Sequence, residues 1–288
     1  MGLTNQRRIS ADPGVNAWAS GKGKIKSSSR IGPLMLLVID IGNTNTSLGV
    51  FHGENLVANW RLTTARERTG DEWGVHTRNL FALAGLDFKS IDAIAIASVV
   101  PPLNFTLKRM AEVYFQVTPL FVDHTTETGV PILYQPPADV GADRIVDAVA
   151  AIHKYGAPCI VVDFGTATTF DAINSTGEYL GGVITPGITI SSDALFERAA
   201  KLPRVEIKRP QKVIGSATVE AMQSGLYHGY IGLVDGILRK MIDELGGAPR
   251  VIATGGLAPL IAKGSEFIET VDETLTLEGL RLVYERTK

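Results

Sequence analysis

The chain has 288 residues, of which 45% are apolar and 20% are charged, with one cysteine and a formal net charge of −2. This length supports a sizeable core in one large or two medium domains, and the composition excludes a disordered or collagen-like protein. One cysteine excludes a disulfide framework and a zinc site made of cysteines. No apolar run in the sequence approaches the roughly 18 residues of a membrane-spanning helix, so we expect a soluble protein with no membrane partner. The single cysteine fits the reducing cytoplasm, which is the location we expect.

Charge is distributed unevenly along the chain. Residues 1–34 carry six basic side chains and one acidic side chain, which leaves 22 basic and 29 acidic side chains, a net charge of −7, for residues 35–288. Because nucleic-acid binding relies on lysine and arginine contacts with phosphates, this acidic body argues against a nucleic-acid partner. Residues 1–34 have no apolar periodicity, so we interpret them as a flexible extension or tag and expect the folded protein to begin at Met35.

Strands and helices alternate from Met35 onward, which is typical of an α/β protein. Residues 35–42 form a continuous apolar run, which indicates a strand buried on both faces. The pattern then predicts strands over 45–51 and 56–63, a helix over 71–83, a strand over 92–100, a helix over 103–114, a strand over 119–123 and a helix over 143–155. After these it predicts a strand–turn–strand unit over 157–173, a strand over 177–184, and a late strand, Gly-Gly turn and helix start over 251–261.

The opening strand–turn–strand unit occurs twice. VIDIGNTNTSLGVF at 38–51 is similar to the unit at 157–173, and aligning Asp40 with Asp163 gives an offset of 123 residues. Two copies about half a chain apart predict a duplicated domain, with an N-terminal domain at 35–150 and a C-terminal domain at 151–288. The alternative is a chance similarity between two buried hairpins.

Each copy carries a turn suited to binding phosphate. The sequence has neither a Walker A motif nor the dinucleotide-binding glycine motif, so those two phosphate sites are excluded. In the first copy Gly42 allows a tight turn, and Asp40 ends a strand where its carboxylate can hold Mg²⁺. Neutral donors to phosphate oxygens follow it at Asn43, Thr44, Thr46 and Ser47. The second copy repeats the pattern with Asp163, Thr166, Thr168 and Thr169, although one such turn alone is often an ordinary turn.

These two hairpins, together with the late turn Thr254-Gly255-Gly256, resemble the actin, hexokinase and Hsp70 superfamily. The resemblance implies two related actin-like (ribonuclease H-like) α/β domains, with the active cleft between them and the late turn against adenosine. A narrower resemblance, to the type III pantothenate kinases, rests on six segments that occur in that family's order. They are 35–51, PPADVGADRIVDAVAA at 136–151, 161–173, GGVITPG at 181–187, GSATVEAMQSG at 215–225 and ATGGLA at 253–258.

Membership of that family implies ATP-dependent phosphorylation of pantothenate, the first step of coenzyme A synthesis, by a homodimer that uses Mg²⁺ and a monovalent cation, K⁺ or NH₄⁺. The resemblance assigns ATP phosphate contacts to Asp40, Ile41, Gly42, Asn43, Thr44, Asn45, Thr46, Ser47 and Thr166. It assigns the monovalent cation to Asp163. It assigns pantothenate contacts to Tyr134, Gly141, Ala142, Asp143, Arg144 and Thr218, with Asp143 as the proton acceptor and Arg144 as the partner of the substrate carboxylate.

Each of these residues also has a simpler interpretation. Asp143 lies where a helix begins and could serve as its N-cap, or the helix N-terminus could keep it ionised as a base. Arg144 alone is typical of a surface salt bridge, Tyr134 of a packing aromatic and Thr218 of the first turn of a helix. At the level of the whole protein, two alternatives remain. One is a catalytically silent regulatory protein on this fold, and the other is a kinase for a different small hydroxyacid or sugar.

Four glycines indicate a close contact for a late helix. Gly225, Gly229, Gly232 and Gly236 fall on one helical face, because their spacings are 4, 3 and 4. Each glycine destabilises a helix interior by about 1 kcal/mol relative to alanine, so a closely packed neighbour helix is expected. The sequence leaves open whether that neighbour belongs to the same chain or to a second subunit.

Overall fold

The computed structural model describes residues 33–288, so the predicted extension at 1–34 lies outside the described residues except for its last two positions. Within this range the first five strands are β1 (Met35–Ile41), β2 (Asn45–His52), β3 (Asn55–Thr63), β4 (Ala93–Ser98) and β5 (Leu120–Phe121). They form one sheet in the order β3-β2-β1-β4-β5, in which β1, β2 and β3 are antiparallel and β4 and β5 run parallel to β1. Helices α1 (Gly70–Leu83) and α2 (Asn104–Met110) make the crossover connections, and α2 continues into a π-helical turn over Ala111–Phe115.

The second sheet repeats the first. After α3 (Ala142–Tyr155), its strands are β6 (Cys159–Phe164), β7 (Ala167–Ile173), β8 (Tyr179–Pro186), β9 (Arg250–Thr254) and β10 (Thr270–Val271), in the order β10-β9-β6-β7-β8. Matching β6–β10 with β1–β5 reproduces both the neighbours and the directions of all five strands. The predicted duplicated α/β fold is therefore confirmed. The predicted boundary between residues 150 and 151 falls inside α3, and the division there remains a prediction.

The other helices are α4 (Ile188–Arg198), α5 (Thr218–Leu245), α6 (Ala258–Ile261) and α7 (Leu275–Arg286). Helices α4 and α7 and strand β10 were not predicted from the sequence. Among the described residues, no helix combines the length and the apolarity that crossing a membrane requires.

Three apolar cores stack the elements into alternating layers. Helices α1 and α2 cover the outer face of the first sheet, and α5 and α6 cover the outer face of the second. Helices α3 and α7 share the central core with the inner faces of both sheets. The inner layer is tight, because a Cβ added at Gly279 on α7 would lie 2.1 Å from the carbonyl oxygen of Val146 on α3. Only glycine fits at this crossing, so the two helices fix the relative position of the two halves.

The alternation along the central strands directs two aspartates toward the same inner layer. On β1, Leu36 and Val38 face the central core, whereas Leu37 and Ile39 face the outer core. Since side chains alternate along a strand, Asp40 lies on the inner face with Leu36 and Val38. Asp163 on β6 lies in the same way after Cys159 and Val161, which both belong to the central core.

The glycines of α5 do not pack against another helix within the described chain. A Cβ added at Gly225, Gly229, Gly232 or Gly236 would have no neighbouring atom within 4 Å. Thus residues 33–288 of one chain provide no closely packed neighbour for this face.

Asp272 lies between β10 and α7 and is hydrogen-bonded to the end of α3, so we expect its replacement to destabilise the fold. Its side chain, 7% exposed, accepts hydrogen bonds from Lys154 Nζ (2.5 Å) and Tyr155 OH (2.7 Å) at the end of α3. Burial acts to raise the pKa of Asp272, but these bonds together outweigh it and hold the pKa below its usual value. Asp272→Asn should lower the free energy of unfolding by about 1–3 kcal/mol at pH 7, as measured by urea denaturation.

The pH dependence of this loss has a defined sign. A carboxylate whose pKa is lowered on folding stabilises the protein above its unfolded pKa of about 3.9, and this stabilisation is lost as the pH falls through the folded pKa. The difference between Asp272→Asn and wild type should therefore shrink in acid. Asp243→Asn, which alters an exposed carboxylate on α5, is the control. An equal loss in both variants at pH 7 would contradict the assignment.

Candidate active site

A cleft of about 390 Å³ lies between the two hairpin turns and the N-terminal end of α3. Both halves of the chain line it, and the late Gly-Gly turn forms part of its wall. The predicted site residues that line it are Asp40, Gly42, Asn43, Thr44, Asn45, Ser47, Asp143, Asp163 and Thr166. The structure thus brings the two predicted phosphate turns and the predicted base into one cavity.

The tips of the two hairpins touch. The hydroxyl oxygens of Thr44 and Thr166 are 2.7 Å apart, one from each copy. The first turn is closed by a hydrogen bond from the Gly42 N–H to the Asn45 carbonyl (3.0 Å), and a Cβ at Gly42 would lie 2.9 Å from the same oxygen. The close approach of this turn therefore requires glycine at position 42.

Two members of the predicted phosphate segment do not line the cleft. Ile41 is fully buried in the outer core of the first sheet. Thr46 is also fully buried, and its hydroxyl lies 2.9 Å from that of Thr64, which donates to the Gly42 carbonyl (2.7 Å). Alternation along β2 accounts for Thr46, because its neighbours Asn45 and Ser47 face the cleft.

The cleft concentrates negative charge. Burial raises the pKa of Asp40 well above its usual value, and the carboxylates of Asp143 and Asp163 raise it further. Burial, with the charges of Asp143 and Asp171, raises the pKa of Asp163 to about 7. Arg61 opposes both shifts through its positive charge.

Asp143 is not the N-cap of α3. The N-cap is Gly141, which offers no side chain, and Ala142, whose methyl group is buried in the central core, begins the helix. Asp143 Oδ1 accepts a hydrogen bond from the Arg144 N–H (2.8 Å). Burial raises the pKa of Asp143 and outweighs the lowering effect of that bond and of the Arg144 charge. That Asp143 is ionised at neutral pH remains a prediction. A raised pKa suits a proton acceptor that works near neutral pH.

Arg144 is buried rather than part of a surface salt bridge. Its Nε donates to Asp171 Oδ1 on β7 (2.6 Å), and the Tyr179 hydroxyl donates to the same oxygen (2.6 Å). Its Nη2 is buried without a hydrogen-bond partner among the described residues. Tyr134 packs against Gly181 on β8, where a Cβ would be 2.9 Å from its ring, and it is near enough to Tyr179 to add to the rise that burial causes in the pKa of that hydroxyl. Two predicted pantothenate contacts therefore meet in one cluster, one residue along the helix from Asp143.

Thr218 lies elsewhere in the described chain. It is the first residue of α5, is exposed, and lines a separate apolar groove with Leu195, Met222 and Leu226. Because it does not reach the cleft of its own chain, its predicted contact with pantothenate remains a prediction.

Two polar residues of this region, Arg61 and Asp147, were not predicted from the sequence. Arg61 on β3 lines the cleft. Asp147 lies one turn after Asp143 on α3, is 2% exposed, and has an Oδ1 without a hydrogen-bond partner among the described residues. The i,i+4 spacing from Asp143 is the signal that could have identified Asp147, since it places both carboxylates on one helical face. For Arg61 the signal is cross-strand alignment with the first hairpin.

Comparison with known proteins identifies the family. The sequence profile of the type III pantothenate kinases matches residues 36–240. This chain belongs to the type III pantothenate kinase family. The type III pantothenate kinase of Koribacter versatilis (strain Ellin345) is 58% identical over 264 residues, covering 88% of this chain and 96% of that protein. That of Anaeromyxobacter sp. (strain Fw109-5) is 59% identical over 254 residues, covering 88% of this chain and all of that protein.

Solved structures support the fold. The activator of 2-hydroxyisocaproyl-CoA dehydratase from Clostridium difficile has a TM-score of 0.51 at 13% identity, over 88% of this chain and 96% of its own. The ethanolamine utilization protein EutJ from Carboxydothermus hydrogenoformans has a TM-score of 0.52 at 16% identity, over 88% and 91%. At these identities the likeness concerns the fold alone.

The Gly-Gly turn lies directly against Asp163, so we predict that a side chain at position 255 destabilises the protein. Gly255 has a φ of +92°, and a Cβ there would lie 2.5 Å from Asp163 Oδ1 and 2.7 Å from the Phe164 N–H nitrogen. Gly255→Ala should therefore destabilise the protein by both backbone strain and steric overlap. Gly177→Ala is the matched control, because Gly177 has a similar φ of +79° with nothing within 4 Å. Urea denaturation should show a loss for Gly255→Ala that exceeds the control by at least about 1 kcal/mol; equal losses would mean that the contact with Asp163 is unimportant.

Proposed function

We propose that this protein transfers the γ-phosphoryl group of ATP to the primary hydroxyl of pantothenate, the first step of coenzyme A biosynthesis. The observation that carries the proposal is that Asp143 shares one cleft with both phosphate hairpins, while the next residue, Arg144, points into a buried cluster with an unpaired Nη2. The hairpins suit a nucleotide, Arg144 suits a carboxylate, and Asp143 is the residue next to Arg144 that lines the cleft.

The transfer needs little covalent chemistry from the protein. The substrate hydroxyl oxygen forms a bond to the γ-phosphorus while the bond from that phosphorus to the β,γ-bridging oxygen breaks. The hydroxyl proton passes to the Asp143 carboxylate, and ADP leaves. Because this transition state is loose, positioning and electrostatics supply most of the rate enhancement.

Two features of Arg144 support its assignment to the substrate carboxylate. The guanidinium is already fixed by Asp171 through Nε, so it loses little freedom when a ligand binds. Its free Nη2 supplies a charge-assisted donor. Tyr134 then closes the cluster beside the same ligand.

The choice between pantothenate and another acceptor is tested by a substrate panel with coupled detection of ADP. Pantothenate should stimulate ATP consumption, whereas small hydroxyacids and sugars should not. Pantothenol, which has a hydroxymethyl group in place of the carboxylate, should bind more weakly if Arg144 acts as proposed. A catalytically silent protein would consume no ATP with any acceptor, and a kinase for a different hydroxyacid or sugar would prefer that compound.

The residues of the cleft fit the cations implied by the family. The carboxylate oxygens of Asp40 would serve as ligands for Mg²⁺, together with the ATP phosphates. Among residues 33–288 no group of three or more His, Cys, Asp or Glu side chains is arranged to hold a metal by itself, which agrees with metal entering together with ATP. Asp163, a half-buried carboxylate close to the backbones of Gly165 and Gly255, fits a monovalent cation. Such a cation would offset negative charge next to the phosphates.

We further propose a homodimer and a cytoplasmic location. The glycine face of α5 is exposed along its length, and Thr218 belongs to the same face because it precedes Gly225 by seven residues. A second copy packed on this face would bury the glycines and bring Thr218 into the interface. Sedimentation equilibrium of wild type and Gly229→Leu tests this arrangement, since the bulky side chain should favour the monomer.

The role of Asp143 gives a prediction about rate. Asp143→Asn keeps the shape of the side chain but removes its capacity to accept the proton. It should lower kcat by about 10²–10⁴-fold while the Kd for ATP stays near that of wild type. Asp139→Asn, an exposed aspartate in the turn before α3, should leave kcat unchanged. Full activity of a folded Asp143→Asn would require a different base.

The proposed monovalent site can be tested without turnover. In the absence of nucleotide, K⁺ should raise the melting temperature of wild type relative to an equal concentration of tetramethylammonium, by mass action on the folded state. Asp163→Asn should abolish this difference. The variant should also melt higher than wild type in tetramethylammonium, because the repulsion between Asp163 and the neighbouring carboxylates is gone. The turnover of wild type should also fall in tetramethylammonium. Equal melting temperatures and rates in both salts would reject the site.

A further inference from the structure

Arg61 is aligned with the phosphate-binding hairpin by the pairing of three strands. Asp40 on β1 pairs with Ser47 on β2, and Ser47 pairs with Arg61 on β3. Residues paired directly across a sheet project to the same face, so the row runs from the carboxylate of Asp40 through Ser47 to the guanidinium. All three residues line the cleft.

Among the described residues, Arg61 is the only basic side chain that lines this cleft, which also contains the carboxyl groups of Asp40, Asp143, Asp163 and Glu273. Despite these neighbours, the guanidinium forms no hydrogen bond or salt bridge with any residue in the described range. The nearby Arg66 is outside the lining and donates instead to Asn43 Oδ1 (2.8 Å). Within the described part of the chain, the guanidinium N–H donors of Arg61 therefore have no partner.

The side chain of Arg61 reaches across the cleft to the second half of the chain. A Cβ added at Gly256 would lie 2.9 Å from its Nη1, so the guanidinium rests on the backbone of the Gly-Gly turn. Its charge also opposes the raised pKa values of Asp40 and Asp163, one from each hairpin. A charge in this place faces the region where phosphates held by both hairpins would meet.

The duplicated half shows that the fold itself does not require an arginine here. The offset of 123 residues relates Arg61 to Ile184, and Ile184 pairs with Thr169 just as Arg61 pairs with Ser47. Ile184 is 61% exposed and carries no charge. The same strand position therefore accepts an apolar residue. The arginine at this position in the first copy must be explained by something other than folding.

We propose that Arg61 is a catalytic residue that contacts the γ-phosphoryl group during its transfer. The proposal rests on the function proposed above. As the bond to the β,γ-bridging oxygen breaks and the bond to the acceptor hydroxyl forms, negative charge spreads over the equatorial phosphoryl oxygens and grows on the bridging oxygen of ADP. A guanidinium presents parallel donors that match two such oxygens, whereas neutral threonine and asparagine side chains cannot balance their charge.

The test compares Arg61→Met with Arg61→Lys and with a control, Arg78→Met, which alters an exposed arginine on α1. Arg61→Met should lower kcat with pantothenate by about 10³-fold or more, the range for arginines that stabilise phosphoryl transfer. Arg61→Lys should recover part of the rate, because it keeps the charge and loses the fork. Arg78→Met should match wild type.

Nucleotide affinity separates a catalytic from a structural role. The Kd for ADP should be nearly the same in wild type and Arg61→Met, whereas the Kd for ADP with beryllium fluoride, which mimics the γ-phosphoryl group, should rise by about tenfold or more in the variant. A kcat of Arg61→Met within about threefold of wild type would overturn the proposal, and so would an equal loss of affinity for both ligands. If Arg61→Met does not fold, a folded Arg61→Lys with full kcat overturns it. Failure of wild type to phosphorylate pantothenate would reject the proposed function instead, and the beryllium fluoride comparison, which needs no acceptor, would still decide the role of Arg61.

Discussion

Mutual repulsion among closely spaced, partly buried carboxylates is the constraint on which the cleft depends. Asp40, Asp143 and Asp163 come from three different elements. Burial raises the pKa of all three carboxyl groups, and the charges of Asp143 and Asp163 raise the pKa of Asp40 further. Asp147 adds a fourth carboxyl group whose pKa is raised well above its usual value by burial and by Asp163. Such groups separate unless rigid elements hold them, and binding of cations relieves their repulsion. The proposed cations would relieve this repulsion.

The rigid elements follow from the duplication. Two central strands, β1 and β6, are buried on both faces, and each has an inward-facing aspartate as its next-to-last residue, just before a tight turn. Placing the two copies face to face brings the turns together at Thr44 and Thr166. Symmetry then ends. Asp143 belongs to a helix between the halves, Arg61 has an isoleucine as its counterpart, and the Gly-Gly turn follows β9 alone. These differences give the two sides of the cleft different chemical roles.

Local sequence was sufficient for the features that depend on local physics. The apolar runs predicted β1 and β6, and the two Asp-x-Gly turns predicted the repeat and the cleft. Helix α7 was not predicted, although Leu277, Leu280 and Val283 recur at helical spacing. The segment is short, and its apolar face is buried only by packing in the central core with α3. The two-residue strand β10 depends on pairing with β9, which is a long-range contact.

Long-range contacts also determined which site residues were missed or misjudged. The partner of Arg144 is Asp171, 27 residues away on β7, so the sequence around Arg144 could not distinguish a buried ion pair from a surface one. The pKa of Asp143 depends on how deeply the helix start is buried, which its position at the start of a helix does not reveal. Arg61 depends on strand register, and no motif in its own segment marks it.

The contrast between Asp143 and Arg144 arises from helix geometry. Consecutive residues on a helix project about 100° apart, so these two adjacent side chains cannot serve the same surface. Asp143 faces the cleft with the hairpins, and Arg144 turns to Asp171 and Tyr179 in the second sheet. The acceptor hydroxyl and the acceptor carboxylate would thus be set by neighbouring residues of one rigid turn, while the nucleotide is set by the hairpins. Since α3 is fixed against α7 at Gly279, with no room for a side chain, the distance between these two sets is determined by the core rather than by flexible loops.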